Sequence, residues 1–142
     1  MREIKFRGKG KYGEDKGKWF YGYLYVYNEP KIYSILNENI VIELNEFGTN
    51  VHIPAFINVD TKTIGQYTGL KDKNGAEIYE GDIVKDCENH IYCVVWQESG
   101  FFIEDKIGNG IEPTQIKIKD FECEVIGNIY DNQELLEEQE DE

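Results

Sequence analysis

The sequence predicts an all-β fold, and this prediction depends on two segments and on the glycine content. Residues 19–27, WFYGYLYVY, alternate between two sets of side chains, as expected of a β-strand whose faces differ. Residues 63–84, TIGQYTGLKDKNGAEIYEGDIV, alternate between extended stretches and glycine-containing turns. The chain of 142 residues has 14 glycines and only 3 prolines, which suits many short strands.

The patterns divide the chain into three regions. We expect an N-terminal antiparallel sheet over residues 1–60, an SH3-like β-barrel over 61–130, and a short helix with an acidic tail over 131–142. The barrel rests on an analogy, because small barrels of the SH3 type often turn a corner at a Gly-Asp pair before an apolar strand, as at Gly81-Asp82. The 10 Tyr, 7 Phe and 2 Trp residues are enough for a sizeable core.

The chain begins with a predicted edge strand and a loop. Residues 3–7 alternate, with Ile4 and Phe6 on one side and charged residues on the other. Residues 8–18 are rich in Gly and Lys, and we expect a polar loop long enough to be mobile.

Further strands of the N-terminal region are predicted from turn residues and from a proline. Residues 31–36 and 40–44 form a hairpin joined at Asn37-Glu38-Asn39. Residues 51–59 are extended, and Pro54 confines them to a sheet edge or a bulge because proline has no N–H to donate.

Strand 19–27 would carry a continuous aromatic face, while the smaller apolar residues between the rings face a core. Three interpretations remain open. The face packs against a second sheet of the same chain, contacts another subunit or protein, or stacks bases of a single strand beside the basic first strand. The face consists of Trp19, Tyr21, Tyr23, Tyr25 and Tyr27.

Segment 63–84 predicts two tight reversals of the chain. Asn74-Gly75 tolerates the positive φ of a tight β-connection, and a Gly-Asp pair breaks the run before the next strand. We expect six residues to shape these turns: Gly69, Asp72, Asn74, Gly75, Gly81 and Asp82.

The remaining strands of the barrel are predicted from apolar alternation. Residues 90–96 and 101–105 form a hairpin across 97–100, and 90–96 is a central strand because both of its faces are apolar. Residues 106–113 are a connecting loop, which lacks the Gly-Lys-Ser/Thr ending of a phosphate loop. Residues 121–130 form the last strand.

A short helix closes the chain. Asp131 and Glu134 have the spacing of a capping box at the start of a helix over residues 133–139. Leu135 and Leu136 would dock this helix on the domain.

Three blocks of sequence resemble a known family. They are IKFRGK with WFYG at 4–9 and 19–22, QYTGLKDKNGAEIYEGDIV at 66–84, and VIGNIYDNQELL at 125–136. Together they resemble the YopX-like proteins of bacteriophages and of prophages in Gram-positive bacteria. The chain departs from the usual pattern at Ala76, where Lys is common, and at Gln133, where Pro often opens the final helix. The resemblance implies a mostly β fold with an SH3-like barrel and a phage setting, and it brings no catalytic residues.

The net charge of −13 is unevenly distributed. Residues 1–18 have seven basic and three acidic side chains, whereas 131–142 have seven acids and no base. An acidic surface repels nucleic acid. We interpret the charges as solvation of exposed strand faces, with contact of the basic start to phosphate, or its pairing with the acidic tail of a neighbour, as alternatives.

The sequence contains no recognisable catalytic or metal site. Cys87, Cys93 and Cys123 form no CxxC pair and suit a reducing cytoplasm, so we expect neither metal nor cofactor. His52 and His90 lack the context of a catalytic base. The carboxylates of Glu77, Glu80 and Asp82 are interpreted as solvated or turn-forming groups, with acid–base chemistry as the alternative. We therefore expect a non-enzymatic protein.

No apolar run approaches the roughly 20 residues of a membrane-spanning helix, and no signal peptide is visible. The sequence therefore predicts a protein of the host cytoplasm without a membrane partner.

The leading hypothesis is a phage accessory protein that binds another protein, or a second copy of itself. Two alternatives remain: a protein that handles nucleic acid, and an acidic DNA mimic that inhibits a host DNA-binding protein. The candidate contact residues are Trp19, Tyr21, Tyr23 and Tyr25, with charge complementarity from Arg2, Lys5 and Arg7.

Overall fold

The fold comes from a computed structural model, which describes residues 3–43, 48, 50–98, 100–105, 115–117 and 122–137. The described chain separates into two units, one over Glu3–Gln66 and one over the residues from Tyr67 onwards, both built from antiparallel strands. The described residues include one α-helix, of four residues. The all-β prediction is therefore confirmed.

The first unit is an antiparallel sheet. Its strands are β1 (Phe6–Lys9), β2 (Trp19–Asn28), β3 (Lys31–Glu43), β4 (Asn50–Asn58) and the beginning of β5 (Gly65–Lys71). They lie in the order β4-β3-β2-β1-β5, so β4 is an edge strand. Short 3-10 turns occupy Gly13–Asp15 and Thr61–Thr63. The hydroxyl of Thr63 accepts a hydrogen bond of 2.9 Å from the N–H of Lys9, which fixes the second turn to β1.

The predicted hairpin within residues 31–44 is wrong, because β3 continues without reversal through Asn37-Glu38-Asn39. Its register with β4 shifts between Asn37 and Ile40, which identifies a β-bulge. β4 pairs with β3 on both sides of this bulge, and that pairing keeps the chain extended where the residues alone favour a turn. Pro54 lies between the two pairs that flank the bulge, so its placement at an edge and at a bulge is confirmed.

The loop after β1 is shorter than the loop expected over residues 8–18, because residues 8 and 9 belong to β1, and backbone hydrogen bonds hold it. The N–H of Gly10 donates to the carbonyl oxygen of Lys18 at 2.9 Å, and the N–H of Gly17 donates to that of Gly10 at 3.0 Å. A Cβ at Gly10 would meet the carbonyl oxygen of Asp15, so only glycine permits this approach. The same loop is attached to β4 by a 2.9 Å hydrogen bond from Lys11 N–H to the Asn58 carbonyl.

The second unit contains the remaining strands and the helix. They are β6 (Glu77–Tyr79), β7 (Asp82–Lys85), β8 (Ile91–Gln97), β9 (Gly100–Glu104), β10 (Gln115–Lys117), β11 (Glu124–Asn128) and α1 (Glu134–Glu137). Five strands form a sheet in the order β10-β9-β8-β7-β11, and β6 pairs with β5. β8 is central, as predicted. Among the described residues no pairing closes this sheet, so the SH3-like barrel stays a prediction, and the loop predicted at 106–113 lies outside them.

Both faces of the five-stranded sheet are covered by apolar side chains. On one face, Val84, Val94 and Ile103 pack with Ile78 and Cys123, all at most 4% exposed. On the other face the core is formed by Ile83, Ile91 and Cys93, against which Leu135 and Leu136 of α1 pack. The predicted docking of the helix by its two leucines is confirmed.

The Asp72 turn joins β5 to β6 and is organised by one carboxylate. Oδ1 of Asp72 accepts hydrogen bonds from the N–H groups of Asn74, at 2.8 Å, and Ala76, at 2.9 Å. Gly75 has φ of +84°, in the left-handed region that glycine adopts without strain. This is a three-residue hairpin connection whose last loop residue is left-handed.

The connection between β7 and β8 repeats this design. Oδ1 of Asp86 accepts from the N–H groups of Glu88, at 2.8 Å, and His90, at 2.9 Å. Asn89 has φ of +66° and occupies the position that Gly75 has in the Asp72 turn. Asparagine is the residue that best replaces glycine in this conformation.

Asp72 differs from Asp86 in holding a distant strand as well. Its Oδ2 accepts a 2.9 Å hydrogen bond from the N–H of Val125 in β11, 53 residues away. Beside it, Lys73 N–H donates to the carbonyl oxygen of Cys123 at 3.1 Å. Glu124 lies 3.6 Å from the Nζ atoms of both Lys73 and Lys85. The Asp72 turn therefore holds the beginning of β11 in place.

A second turn of the segment holds the other end of β11. Gly81 has φ of +91°. Its N–H donates to the carbonyl oxygen of Val94 at 2.9 Å, and its own carbonyl oxygen accepts from the N–H of Ile129 at 2.9 Å. The buried Asp82 carboxylate accepts the N–H of Tyr79 at 2.7 Å, across the turn.

The pKa of the Asp72 carboxylate is lowered by its backbone hydrogen bonds. Burial by itself would raise its pKa, but the N–H donors of Val125, Ala76 and Asn74 together outweigh burial and lower the pKa below 3.8. The pKa of Asp86 is lowered in the same way, against burial, by the N–H groups of His90 and Glu88 and by the His90 side chain.

We expect Asp72→Asn to lower the free energy of unfolding of the second unit by about 3 kcal/mol, because buried N–H groups lose a charged acceptor. Asp86→Asn weakens the equivalent local contacts of a turn that has no bond to β11, and we expect a loss of about 1 kcal/mol. Fluorescence of Trp96 during urea unfolding, in a Trp19→Phe background, reports this unit alone, since the chain has two tryptophans. Equal losses in the two variants would contradict the role of the Val125 bond.

Acid should destabilise the second unit through the same carboxylates. Their pKa values are lowered in the folded state, so their stabilisation is present above the unfolded value of 3.8 and is lost as the pH falls through the folded pKa. We expect unfolding midpoints in urea to decrease between about pH 5 and pH 2. Asp72→Asn should flatten this dependence, and an unchanged slope would show that other groups cause it.

Candidate functional site

The register of the first sheet assembles one aromatic surface from β2, β3 and β4. Tyr23 of β2 lies opposite Leu36 of β3, which in turn lies opposite Phe56 of β4. Directly opposed residues in a sheet project to the same side, so Phe56 shares the side of the β2 tyrosines. We call this surface the tyrosine face, which consists of Tyr21, Tyr23, Tyr25, Tyr27 and Phe56.

The side chains of the tyrosine face are exposed. Tyr23, Tyr27 and Phe56 are 57–59% exposed, and Tyr21 and Tyr25 nearly half exposed. The opposite side of the sheet contains Ile35, which is fully buried, and the half-buried Leu24. The tyrosines therefore lie at the surface and not in the core.

Contacts between the rings order this surface. The ring centroid of Tyr25 lies 5.6 Å from that of Tyr27 and 5.4 Å from that of Phe56, in edge-on and tilted geometries. Such arrangements are favourable for aromatic pairs. The rings are thus held in place before any partner arrives, which reduces the entropy lost on binding.

Gly22, between Tyr21 and Tyr23, allows the β3 backbone to approach β2 closely. A Cβ at this position would collide with the carbonyl oxygen of Leu36. Beside it lies a cleft of about 250 Å³. The cleft is lined by Glu3, Ile4, Lys5, Tyr21, Gly22, Tyr23 and Leu36.

The candidate basic residues do not gather on the tyrosine face. Arg7 is only 5% exposed, and its guanidinium carbon lies 4.7 Å from the centroid of the half-buried Trp19 ring. Lys5 lines the cleft, and its Nζ lies 3.5 Å from a carboxylate oxygen of Glu3. Arg2 is outside the described residues. The structure thus brings together three predicted tyrosines and Lys5, whereas Arg7 and Trp19 pack against each other.

Phe56 and Tyr27 complete the face and were absent from the predicted contact set. Tyr27 carried a sequence signal, because it continues the alternation of β2. Phe56 carried none, because its position depends on a register between distant strands.

The six predicted turn residues belong to the second unit and support its backbone. Gly69 has φ of +84°, like Gly75. The carboxylate of Asp82 faces a backbone N–H, and Glu77 accepts a 3.4 Å hydrogen bond from the Tyr79 hydroxyl. In the described part of the chain, no three His, Cys, Asp or Glu side chains are grouped to hold a metal ion. No helix among these residues is long and apolar enough to cross a membrane.

The two units differ sharply in charge. Residues 3–66 contain eight basic and eight acidic side chains, whereas 67–142 contain six basic and twenty acidic ones. Residues 3–66, which include the tyrosine face, are therefore neutral, and residues 67–142 have a net charge of −14.

A family model described as YopX protein matches residues 5–137. The chain belongs to the YopX family. Among solved structures, the YopX chain is similar to protein EF1440 from Enterococcus faecalis, with 25% sequence identity and a TM-score of 0.54. The match covers 96% of this chain and 99% of that one. No curated protein matches this YopX sequence.

We expect Gly22→Ala to lower the free energy of unfolding of the first unit by about 3 kcal/mol, because the new methyl group forces β2 and β3 apart. The measurement is urea unfolding followed by Trp19 fluorescence in a Trp96→Phe background. Gly13→Ala is the control, since a Cβ there meets nothing within 4 Å and only the φ of +61° is unfavourable. A loss no greater than that of the control would show that the strands need no such approach.

Proposed function

We propose that this YopX protein is a phage accessory protein that works in the host cytoplasm as a non-enzymatic module, binding another protein through its tyrosine face. The observation that carries the proposal is the exposure of five aromatic side chains on one face of a single sheet. A contiguous apolar patch of this kind is typical of an interaction surface.

The size and chemistry of the face suit a protein partner. Five aromatic side chains, each about half exposed, offer on the order of 500 Å² of contact surface. That is a large part of the roughly 800 Å² that each partner contributes to a standard interface. Tyrosine is enriched in such interfaces because its ring packs while its hydroxyl forms hydrogen bonds.

The charge distribution favours binding at this unit. A partner of either sign can approach a neutral surface, whereas the −14 unit repels acidic proteins and nucleic acid. Lys5 and Glu3 at the cleft would add polar contacts at the rim of the interface.

A second candidate function is mimicry of DNA by the acidic unit. The observation in its favour is the excess of fourteen acidic side chains within residues 67–142. Such a mimic would bind a host DNA-binding protein through charge, so its complex would dissociate as salt increases.

We expect Tyr23→Ala with Tyr25→Ala to abolish retention of the protein partner in a tagged pull-down from host lysate treated with nuclease. The thermal unfolding midpoint should change little, because both side chains are exposed and exposed substitutions usually alter stability by about 0.5 kcal/mol or less. Tyr130→Ala is the control, since it removes an exposed tyrosine of the other unit.

Each other outcome identifies a different function. A large fall in the midpoint would place these rings in a structural role. A partner retained by the variant but released by salt would favour the DNA mimic. Proteins lost on nuclease treatment would favour nucleic-acid handling.

A further inference from the structure

A pair of adjoining clefts lies away from the centre of the tyrosine face, where the loop after β1 meets β3 and β4. The smaller cleft has a volume of about 80 Å³ and the larger about 210 Å³, and Tyr12 and Asn58 line both. The smaller is also lined by Lys11, Lys31, Ile32, Tyr33, Val59 and Thr61, and the larger by Asp15, Phe56 and Ile57. We call them the paired clefts.

The backbone around the paired clefts is firmly held. Besides the bond from Lys11 to the Asn58 carbonyl, the N–H of Val59 donates to the Tyr33 carbonyl oxygen at 3.0 Å. Oδ1 of Asn58 accepts a 2.8 Å hydrogen bond from the Ser34 hydroxyl, so the amide group of Asn58 is oriented and its Nδ2 remains a donor. The site is therefore preformed and would lose little entropy on binding.

The smaller cleft has the chemistry of an anion site. Nζ of Lys11 lies 5.4 Å from the Tyr12 ring centroid, and Nζ of Lys31 lies 5.8 Å from that of Tyr33. Cation–π contact holds each ammonium group near the cleft without neutralising it. Among the described residues, neither ammonium group forms an ion pair with a carboxylate. Two lysines act as point charges, which suits a phosphate better than the planar, bidentate binding of a carboxylate, for which arginine is preferred.

The larger cleft has the chemistry of a site for a planar ring. Tyr12 is 61% exposed and Phe56 57% exposed, so both offer ring surface to a ligand. A cavity of about 150 Å³ already accommodates benzene, so about 210 Å³ suffices for an aromatic base. Asp15 can accept a hydrogen bond from an amino group of such a base, whereas it would repel a second carboxylate of an acidic peptide.

We propose that the paired clefts bind a nucleotide, with its phosphate between Lys11 and Lys31 and its base against Tyr12 and Phe56. The nucleotide is either free or a unit of a single strand, since both present the same phosphate and base. This site overlaps the proposed protein contact only at Phe56, which belongs to both surfaces.

Two-dimensional NMR of the ¹⁵N-labelled full chain tests the proposal, with AMP, adenosine, inorganic phosphate, a short oligodeoxyadenylate and hexaglutamate as probes. We expect AMP to shift the amide signals of Tyr12, Tyr33 and Asn58 in a saturable way, and to bind more tightly than adenosine or phosphate. Phe56→Ala, which alters only the larger cleft, should weaken AMP about tenfold through lost stacking while leaving phosphate binding unchanged. Lys11→Gln with Lys31→Gln should weaken AMP and phosphate alike, by about tenfold or more.

The matched control is Lys18→Gln with Lys62→Gln, which removes the same charge from two exposed lysines of the same unit that do not line the clefts. Equal effects of the two double variants would overturn the proposal. It would also be overturned if hexaglutamate shifted the same amide signals as strongly as AMP. The absence of a saturable shift with both AMP and the oligodeoxyadenylate would overturn it as well. Tighter binding of the oligodeoxyadenylate than of AMP would identify a single strand as the source, and the reverse order a free nucleotide. Tyr23→Ala alone, which keeps the ring contact between Tyr25 and Phe56, should leave AMP binding unchanged, so failure of this site and failure of the protein contact are distinguishable.

Discussion

The second unit depends on one carboxylate that accepts three backbone hydrogen bonds. Asp72 closes its own turn through Asn74 and Ala76 and at the same time holds Val125 at the start of the last strand. A neutral side chain of the same size could not satisfy these donors equally well, because hydrogen bonds to a charged acceptor are about twice as strong as neutral ones. The Asp86 turn has the same local geometry without the distant bond. The Asp72 turn therefore both reverses the chain and holds β11, whereas the Asp86 turn only reverses the chain.

The two units differ in net charge and in the character of their surfaces. The first is neutral, exposes its aromatic face and contains the paired clefts, whereas the second is strongly acidic and has a sheet covered on both sides. A neutral surface can approach a partner without the repulsion that fourteen excess acids produce. In the proposed function, the neutral unit makes the contact with the partner.

Much of the fold was predictable because its signals are local. The turn at Asn74-Gly75, the central strand β8 and the docking leucines of α1 all follow from residues within a few positions of one another. The hairpin expected at Asn37-Glu38-Asn39 failed for the opposite reason, since pairing with β4 on both sides converts a local turn signal into a bulge. Of the candidate contact residues, the alternating tyrosines of β2 were correctly placed together on one face, but Arg7 was expected among the exposed charges and instead lies buried against Trp19.

By itself, the sequence determined the β class, the tight turns, the two-faced strand β2 and the YopX family, because each depends on residue types at short spacing. Only the tertiary structure decided that the tyrosines are exposed, that Phe56 joins them, and that Lys11 and Lys31 line one cleft. Only the structure showed Asp72 reaching Val125, 53 residues away. These features depend on the register between strands far apart in the chain, and register is selected by packing of the whole sheet, which no short stretch of sequence encodes.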